Sequence, residues 1–516
     1  MQKTDVLIVG GGVVGLSAAL FLLQQGIQPL LVERHKGTSI HPRARGFDVR
    51  TMELYRELGL GEAIREAGKA LAPAWGILKD VTLAAAMEKR KPSRKKGPEH
   101  LFSVIQELSP VTGARCTQDL SEPVLLAAAK ERGAVVRYYT ELVSFTQDAT
   151  GVSAVLRNRD SGEDEQVRAS YLIAADGAKS PVRTALHAAT VGRGPLSDLL
   201  NIYFEAPLGE YVRGKEFSIL LVKRDGLRGM LTAINNDDKW VFHLHSGDAA
   251  DLTEERIIPI LREVIGIPGI SVRIISLLPW QPTIRVVTAM HHGRVFLAGD
   301  AAHVMTPYGG KGANTGIQDA HNLAWKLAAV LKGRAAPALL ETYSRERQRV
   351  GLRNAIRSGK WADENGLLKK SVPVVMGMIG WVLVMRILRL IGLKTLSRCA
   401  ALRGLGDLVG LPVYRYSGEV RLPHLWIKSN ISTLDLLGGG FVLITGEEDA
   451  LWKEAAGALE NITVRSIGAL RKKLGIHADG AVLVRPDGFV ACRVPRMVDD
   501  PVVFLQRELG KLFMLA

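Results

Sequence analysis

A chain of 516 residues, 47% hydrophobic and 23% charged, is too long for a single core and too apolar to be disordered, so about two to four globular domains are expected. Its 67 lysines and arginines outnumber 52 acids, and the net charge of +15 favours acidic small molecules, an anionic membrane surface or nucleic acid. The nucleic-acid option fails on pattern: Lys89, Arg90, Lys91, Arg94, Lys95 and Lys96 crowd one segment with no interleaved aromatic residue, which reads as a solvated loop.

The chain opens with Asp5-Val-Leu-Ile-Val9, a short apolar run bounded by glycine, the pattern of a buried parallel strand. Gly10-x-Gly12-x-x-Gly15 follows, with Val13 and Val14 inside it. Gly10 allows a sharp turn, Gly12 removes a side chain where a pyrophosphate approaches, and Gly15 lets the next helix pack close to the sheet. The helix start offers unpaired N–H groups and a positive dipole end to phosphate. Gly26 stops that helix, and a second strand ends at Glu33, about 23 residues after Gly10 and near the roughly 20 expected of an acid that accepts ribose hydroxyls. Strand, glycine turn, helix and acid together specify a dinucleotide site without saying which dinucleotide.

Arg34 comes next, then His41-Pro-Arg43-Ala-Arg45-Gly46, an arginine-bearing loop at the same sheet edge, where Arg45 is placed to meet a phosphate or a flavin ring. Val49 to Leu58 repeats as a helix ended by Gly59, and residues 76–110 read as irregular. Gln118 heads a helix closed by Gly133. Val135–Tyr138 reads as a strand, and 143–146, 152–157 and 165–170 as a small antiparallel meander. Tyr171 to Ala175 is a further buried strand running into the Asp176-Gly177 turn. From 190 to 280, alternating faces predict a mostly antiparallel sheet, a wall for a flat apolar ligand. Phe204, Phe217, Met230, Trp240, Phe242, His243 and His245 are the candidates for that wall, with about half of the aromatic ones expected to be plain core and the pattern not choosing which.

Another buried strand ends at Gly299-Asp300, where the carboxylate can hold a sugar-alcohol hydroxyl. Thr306-Pro307-Tyr308-Gly309-Gly310-Lys311-Gly312-Ala313-Asn314 then opens a helix over 315–330, its glycines freeing N–H groups that stabilise an anion. Asp319, two turns on, reads as structural. Val372 to Met385 is apolar for 14 residues, short of the roughly 20 needed to span a bilayer. With its basic flanks, 372–394 reads as a bridging helix, the rival readings being a peripheral membrane contact or a dimer contact. Cys116, Cys399 and Cys492 lie far apart in no metal spacing, which argues for a reducing, cytoplasmic setting with neither disulfide framework nor zinc. A strand beginning within about five residues of Met1 reads as leaving no room for a secretion signal.

Three motifs carry a resemblance: Gly10-x-Gly12-x-x-Gly15 with Glu33, Asp176-Gly177-x-x-Ser180-x-Val182-Arg183, and Gly299-Asp300-Ala-Ala-His303 with the glycine run after it. Together they resemble the single-component FAD aromatic hydroxylases, the family of para-hydroxybenzoate hydroxylase, phenol hydroxylase and the polyketide-tailoring hydroxylases. The likeness runs from about residue 3 to 360. Arg421-Leu-Pro-His-Leu-Trp426, Ser432-Thr-Leu-Asp-Leu-Leu-Gly and Val484-Arg485-Pro-Asp-Gly488-Phe-Val490 resemble the C-terminal domain of the polyketide and phenol branch.

The resemblance implies an α/β fold with a glutathione-reductase-type dinucleotide-binding FAD domain (1–75, 101–187, 281–365). It adds a mainly antiparallel substrate domain (76–100, 188–280), a helical linker (366–410) and a thioredoxin-like C-terminal domain (411–516). Lacking a Cys-x-x-Cys pair, that last domain is expected to dock or dimerise. The resemblance further implies tightly held FAD, with NAD(P)H and O2 as co-substrates, in a monomer or homodimer. Oxygen passes from a flavin C4a-hydroperoxide to a phenolic or polycyclic, polyketide-like ring. Epoxidation, Baeyer–Villiger oxygenation or reduction on the same platform, and a membrane-associated flavin-binding protein without activity, are the alternatives. Halogenation is disfavoured because no Trp-x-Trp-x-Ile-Pro stretch occurs.

Residue by residue, the resemblance gives the adenosine ribose to Glu33, with Gly10, Gly12, Val13, Val14, Gly15, Arg34 and Asp176 as further cofactor contacts. Arg45 and Gln118 serve the flavin side, and Asp300 the ribityl chain. Pro307, Gly310, Lys311, Gly312, Ala313 and Asn314 line the ring. Thr306 stands where the family has the first of two prolines, and Lys311 where the polyketide branch more often has glutamine or glutamate and the benzoate hydroxylase has lysine. The family has no universal acid or base, so Arg45, Lys311, His243 and His245 are catalytic candidates, with Arg228 a further choice for deprotonating a phenol. No metal is expected.

Overall fold

Strands buried on both faces need unbroken apolar runs, and the runs read above form the parallel frame of the first sheet. The computed structural model describes residues 1–71, 76–92, 108–224, 226–245, 253–369, 415–416, 419–447, 450–459 and 461–515. Gln2–Val9 lies centrally, parallel to Pro29–Glu33 on one side and Asp164–Ala174 on the other, in the registers Ile8↔Leu31 and Ile8↔Ile173. Val295–Leu297 continues the sheet beyond Asp164–Ala174, and Val135–Tyr138 beyond Pro29–Glu33. Leu7, Ile8, Leu31, Leu172 and Phe296 are fully buried, each contributing roughly 1.5–3 kcal/mol relative to exposure. The helix Val13–Gln24 packs against Gln118–Glu131 and Gly312–Leu331 on the sheet.

Two local expectations change. Asp164–Ala174 is one continuous strand with no break at Ser170. On one edge it changes neighbours, from Val152–Asn158 antiparallel to Val295–Leu297 parallel, and a change of partner leaves no mark on hydrophobic periodicity. Residues 76–89 are also regular: Ile77–Asp80 is a strand, and Leu83–Lys89 a helix capped by Thr82, which accepts from Ala85 N at 3.1 Å. Four residues are too few to show a period; the strand is fixed by pairing with Ile219–Arg224.

The second sheet runs Arg273–Trp280, Leu199–Glu205, Lys239–His245, Leu227–Ala233, Ile219–Arg224, Ile77–Asp80, antiparallel except for the last pair. Alternate residues on each strand face opposite sides. Phe204, Phe217, Trp240 and Phe242 fall on the side packed by the helices Leu83–Lys89 and Glu254–Ile265. These four are core, not ligand wall; of the seven expected there, Met230 and His243 line the cavity described below. His245 shares the parity of His243 but sits at the strand end, outside the lining. A three-stranded sheet of Thr190–Pro195, Thr283–Val287 and His303–Val304 joins the two larger units.

The C-terminal domain has four strands ordered Ile462–Ser466, Phe441–Thr445, Ala481–Val484, Val490–Val494, the first pair parallel and the others antiparallel. Its helices Ala450–Gly457 and Pro501–Phe513 share a core with Leu443 and Leu483 that takes in Trp325 and Leu339 from the first domain. Residues 372–394 and Cys399 lie outside the described residues, among which no helix is long and apolar enough to cross a membrane.

Candidate active site

The ends of four parallel strands are laced together. Gly10 N donates to Val32 O at 2.8 Å, Ala175 N to Val9 O at 2.8 Å, and Ala298 N to Ala174 O at 2.9 Å. Gly10 sits at φ +109°, and a Cβ there would come 2.3 Å from Ala175 O; one on Gly15 would come 1.9 Å from Gly10 O. Both positions are closed to any side chain. Val14 lies over Gly299 and Gly316, where added Cβ atoms would fall 2.9 and 2.6 Å from its Cγ2, so the first and third motifs touch. Buried Arg183 ties the second to the third, donating to Ala178 O at 2.7 Å and Ala301 O at 3.1 Å. Asp319 fastens the Gly299 turn to the helix behind it, accepting from Gly299 N at 3.1 Å, with His303 Nε2 and Arg347 Nε each 2.6 Å away.

These turns open on a cavity of about 1740 Å³. A single-ligand pocket holds roughly 300–1,000 Å³, so there is room for a cofactor and a second ligand together. Gly10, Gly12, Val13, Val14, Glu33, Arg34, Gln118, Asp176 and Asp300 line it on the parallel-sheet side, with Arg45, Pro307, Gly310, Gly312, Ala313 and Asn314 beyond them. Gly15, Lys311 and His245 are outside the lining.

Glu33 is held at its strand end: Oε2 accepts from Gly11 N at 2.7 Å and Oε1 from His35 N at 2.8 Å. Gln118 donates from its backbone to Arg43 O at 2.7 Å and from Nε2 to Glu122 Oε1 at 2.6 Å. Glu122 is buried, takes Ser39 N at 2.6 Å, and has its carboxyl pushed up by burial. It lines the cavity yet was missed, because an acid one turn into a helix carries no distinguishing sequence mark. Asp176 accepts from Val182 N at 3.1 Å through Oδ2, while its buried Oδ1 has no partner and burial raises the group. A buried carboxylate oxygen with no donor calls for a ligand hydroxyl or N–H.

Arg45 reaches across to the second sheet, donating to Ser218 O at 3.1 Å, Ala233 O at 3.3 Å and Ser218 Oγ. Burial, with Arg115 nearby, pushes it down to about 10, still a cation at neutral pH. Lys311 turns instead to Asp48, Nζ to Oδ2 at 3.2 Å. Asp48 caps Val49–Glu57 through Thr51 N at 3.0 Å and donates its own N–H to Asn314 Oδ1 at 2.9 Å. Asn314 returns Nδ2 to Gly310 O at 2.6 Å, so the arginine loop and the glycine run are knotted together.

On the antiparallel-sheet side the lining is Leu199, Asn201, Met230, Thr232, Val241, His243, Leu278 and Trp280. His243 Nδ1 is 2.6 Å from Asn201 Oδ1, and Nε2 is 3.3 Å from Thr232 Oγ1. An amide oxygen only accepts, so Nδ1 carries the hydrogen and Nε2 accepts. Burial, with His41 and Arg45 nearby, pushes this imidazole down to about 3. Arg228 pairs with Asp363 at 2.9 Å, outside the lining. The donor set fits FAD: a glycine turn and helix start for a diphosphate, a carboxylate at a strand end for ribose, and a second carboxylate, Asp300, where a ribityl chain would pass.

A family model described as FAD binding domain matches residues 3–358, and one described as aromatic-ring hydroxylase, C-terminal, matches residues 417–513. The chain is 37% identical to tetracenomycin B2 monooxygenase-dioxygenase of Streptomyces olivaceus, over 99% of this chain and 98% of that one. It is 35% identical to 4-methyl-5-nitrocatechol 5-monooxygenase of a Burkholderia species, over 98% and 97%. A crystal structure of aklavinone-11 hydroxylase with FAD and aklavinone matches with a TM-score of 0.79 at 28% identity, covering 100% of this chain and 99% of that one. With the match running through both ends of the chain and the cofactor-gripping turns in place between them, the protein belongs to the FAD-dependent aromatic-ring hydroxylases, a family of flavoprotein monooxygenases.

Proposed function

We propose that the protein hydroxylates a phenolic or polycyclic, polyketide-like aromatic compound with NAD(P)H and O2. The observation that carries this is the single cavity running from the dinucleotide turn to the ligand face of the antiparallel sheet. Relatives named for tetracenomycin B2, a nitrocatechol and aklavinone support the substrate class. Bound FAD supplies the redox chemistry, taking electrons from NAD(P)H and passing one oxygen atom of O2 to the ring.

The chain's own residues bind, orient and exclude water. Glu33 takes the ribose, the helix start at Val13 the diphosphate, Asp300 the ribityl hydroxyls, and Asp176 a hydroxyl or N–H of the cofactor. The N–H groups that open Gly312–Leu331, with the fixed cation of Arg45, stabilise negative charge on the flavin side. Arg43, Lys179 and Arg285 line the cavity with no ion-pair partner among the described residues, leaving positive potential for an anionic dinucleotide to approach. Met230, Val241, Leu278 and Trp280 present an apolar face to the substrate ring. His243, pushed down to about 3 by burial and so uncharged at neutral pH, is a hydrogen-bonded wall residue and not a proton store.

The test is oxygen uptake and product mass for FAD-loaded protein given NADH or NADPH and a panel of phenols and polycyclic quinols. A ring-stimulated gain of one oxygen atom is expected, and product structure separates hydroxylation from epoxidation or Baeyer–Villiger insertion. Flavin binding without NAD(P)H oxidation across the panel would leave a flavin-binding protein that is not an enzyme.

A further inference from the structure

We propose that His41 is a substrate-positioning residue: its imidazole, beside His243, meets an oxygen substituent on the aromatic substrate and selects rings that carry one. This rests on the hydroxylase reading above and names a group on this chain that recognises the substrate.

His41 is 6% exposed and lines the cavity, and neither Nδ1 nor Nε2 has a hydrogen-bond partner. Its ring lies 5.8 Å from that of Tyr203, two pairs along the second sheet from Asn201 and His243. The backbone beneath is fixed: His41 O accepts from Arg43 N at 2.8 Å, His41 N donates to Ser39 Oγ at 3.3 Å, and Ser39 N is held by Glu122 at 2.6 Å. The ring is therefore presented by a braced loop to the ligand face of the substrate sheet.

The neighbouring imidazole sharpens the assignment. His243 has both nitrogens engaged, by Asn201 and Thr232, and has nothing left to offer. His41 has both free. Leaving two buried polar atoms unpaired costs stability unless a ligand pairs them. Burial and the charge of Arg43 push His41 down to about 4, so at neutral pH it is uncharged. A neutral imidazole offers one donor and one acceptor, which suits a phenol hydroxyl or a ring carbonyl and gives no pairing to a bare hydrocarbon ring.

The experiment titrates FAD-loaded protein with 1-naphthol and with naphthalene, two colourless probes, reading the flavin absorbance change. Wild-type protein is expected to bind 1-naphthol about tenfold more tightly than naphthalene. His41→Leu should bring the two within about twofold while keeping wild-type FAD content, and His41→Gln, which keeps a donor and an acceptor, should recover part of the preference. A preference retained by His41→Leu overturns the proposal, as does wild-type protein that binds the two probes equally. Loss of FAD in both folded variants overturns it too, by making His41 a cofactor residue. Failure of the hydroxylase reading is seen separately: no ring gains oxygen, whatever the titrations show.

Discussion

At the junction with the C-terminal domain, Arg485 donates to Glu346 at 3.0 and 3.2 Å and to Asp487 at 2.5 and 3.0 Å. Lys326 Nζ lies 3.0 Å from Glu346, and Asn322 Nδ2 lies 2.7 Å from Glu346 and 2.9 Å from Asp487. Arg50 Nη2 donates to Asp487 O at 2.9 Å, and Arg421 pairs with Glu53. In the cavity both nitrogens of His41, Oδ1 of Asp176 and Oγ1 of Thr306 are buried with no partner. Both regions bury polar groups, but the junction pairs its charged groups with one another, leaving, among the described residues, only single atoms such as Glu53 Oε1 and Trp325 Nε1 without a partner, while in the cavity a whole imidazole, that of His41, is unpaired. Charges paired with one another join the domains; an unpaired imidazole facing a cavity marks where a ligand completes the set.

Placing a methyl where the cofactor turn has none should have the largest effect. Gly15→Ala sets a Cβ 1.9 Å from Gly10 O, backbone that cannot yield without opening the turn. Overpacking of that kind costs roughly 3 kcal/mol or more, so the variant should purify colourless or not fold. Gly15→Ala protein with normal flavin absorbance would refute the account of the turn.

Arg485→Met attacks the charge-paired junction by leaving Glu346 and Asp487 buried without their arginine. A loss of about 3–5 kcal/mol in urea unfolding is expected, with FAD per folded chain unchanged. A fall in FAD occupancy at unchanged stability would erase the distinction between the two regions.

The cavity histidines respond to acid. Both are held below 6.5, at about 4 for His41 and about 3 for His243, so the unfolded chain takes up protons first. Their contribution is full above about pH 6.5 and is lost as pH falls toward those values. At pH 5 the loss is about 2 kcal/mol per histidine. Urea midpoints at pH 7 and pH 5 should therefore converge in the His41→Gln, His243→Gln double variant relative to wild type.

Smaller effects separate ligand contacts from scaffold. Glu33→Gln should weaken FAD about tenfold, near 1.4 kcal/mol, with little change in unfolding of the FAD-free protein; equilibrium dialysis measures it. Lys311→Met breaks only a partly exposed pair with Asp48, so less than about 1 kcal/mol of stability and no change in flavin spectrum are expected. A shifted spectrum would return Lys311 to the flavin site.

Much of this was legible in the chain because its signals are local. Glycine spacing, apolar runs and strand-end acids fall within a few residues of one another, and they locate Gly10 to Glu33 and Asp300 without knowledge of neighbours; Asp176 came only with the resemblance, since an Asp-Gly turn by itself means little. His41 and Glu122 were not singled out, since neither sits in a spacing that distinguishes a buried polar group from a solvated one. Which of the wall candidates are core was not legible for a related reason. Alternation says that residues on one strand face two ways, but only the helices packed on one side decide which way is the ligand's.

The sequence by itself determined the parallel frame, the turns that leave it and the chemistry of the groups at its strand ends, because backbone conformation and short apolar runs are written residue by residue. Tertiary structure alone decided which buried polar atoms are satisfied. Arg485 finds Glu346 across 139 positions of chain, while His41 is carried to Tyr203 and finds no partner. Pairing of that kind depends on distance in space, and no local pattern encodes it.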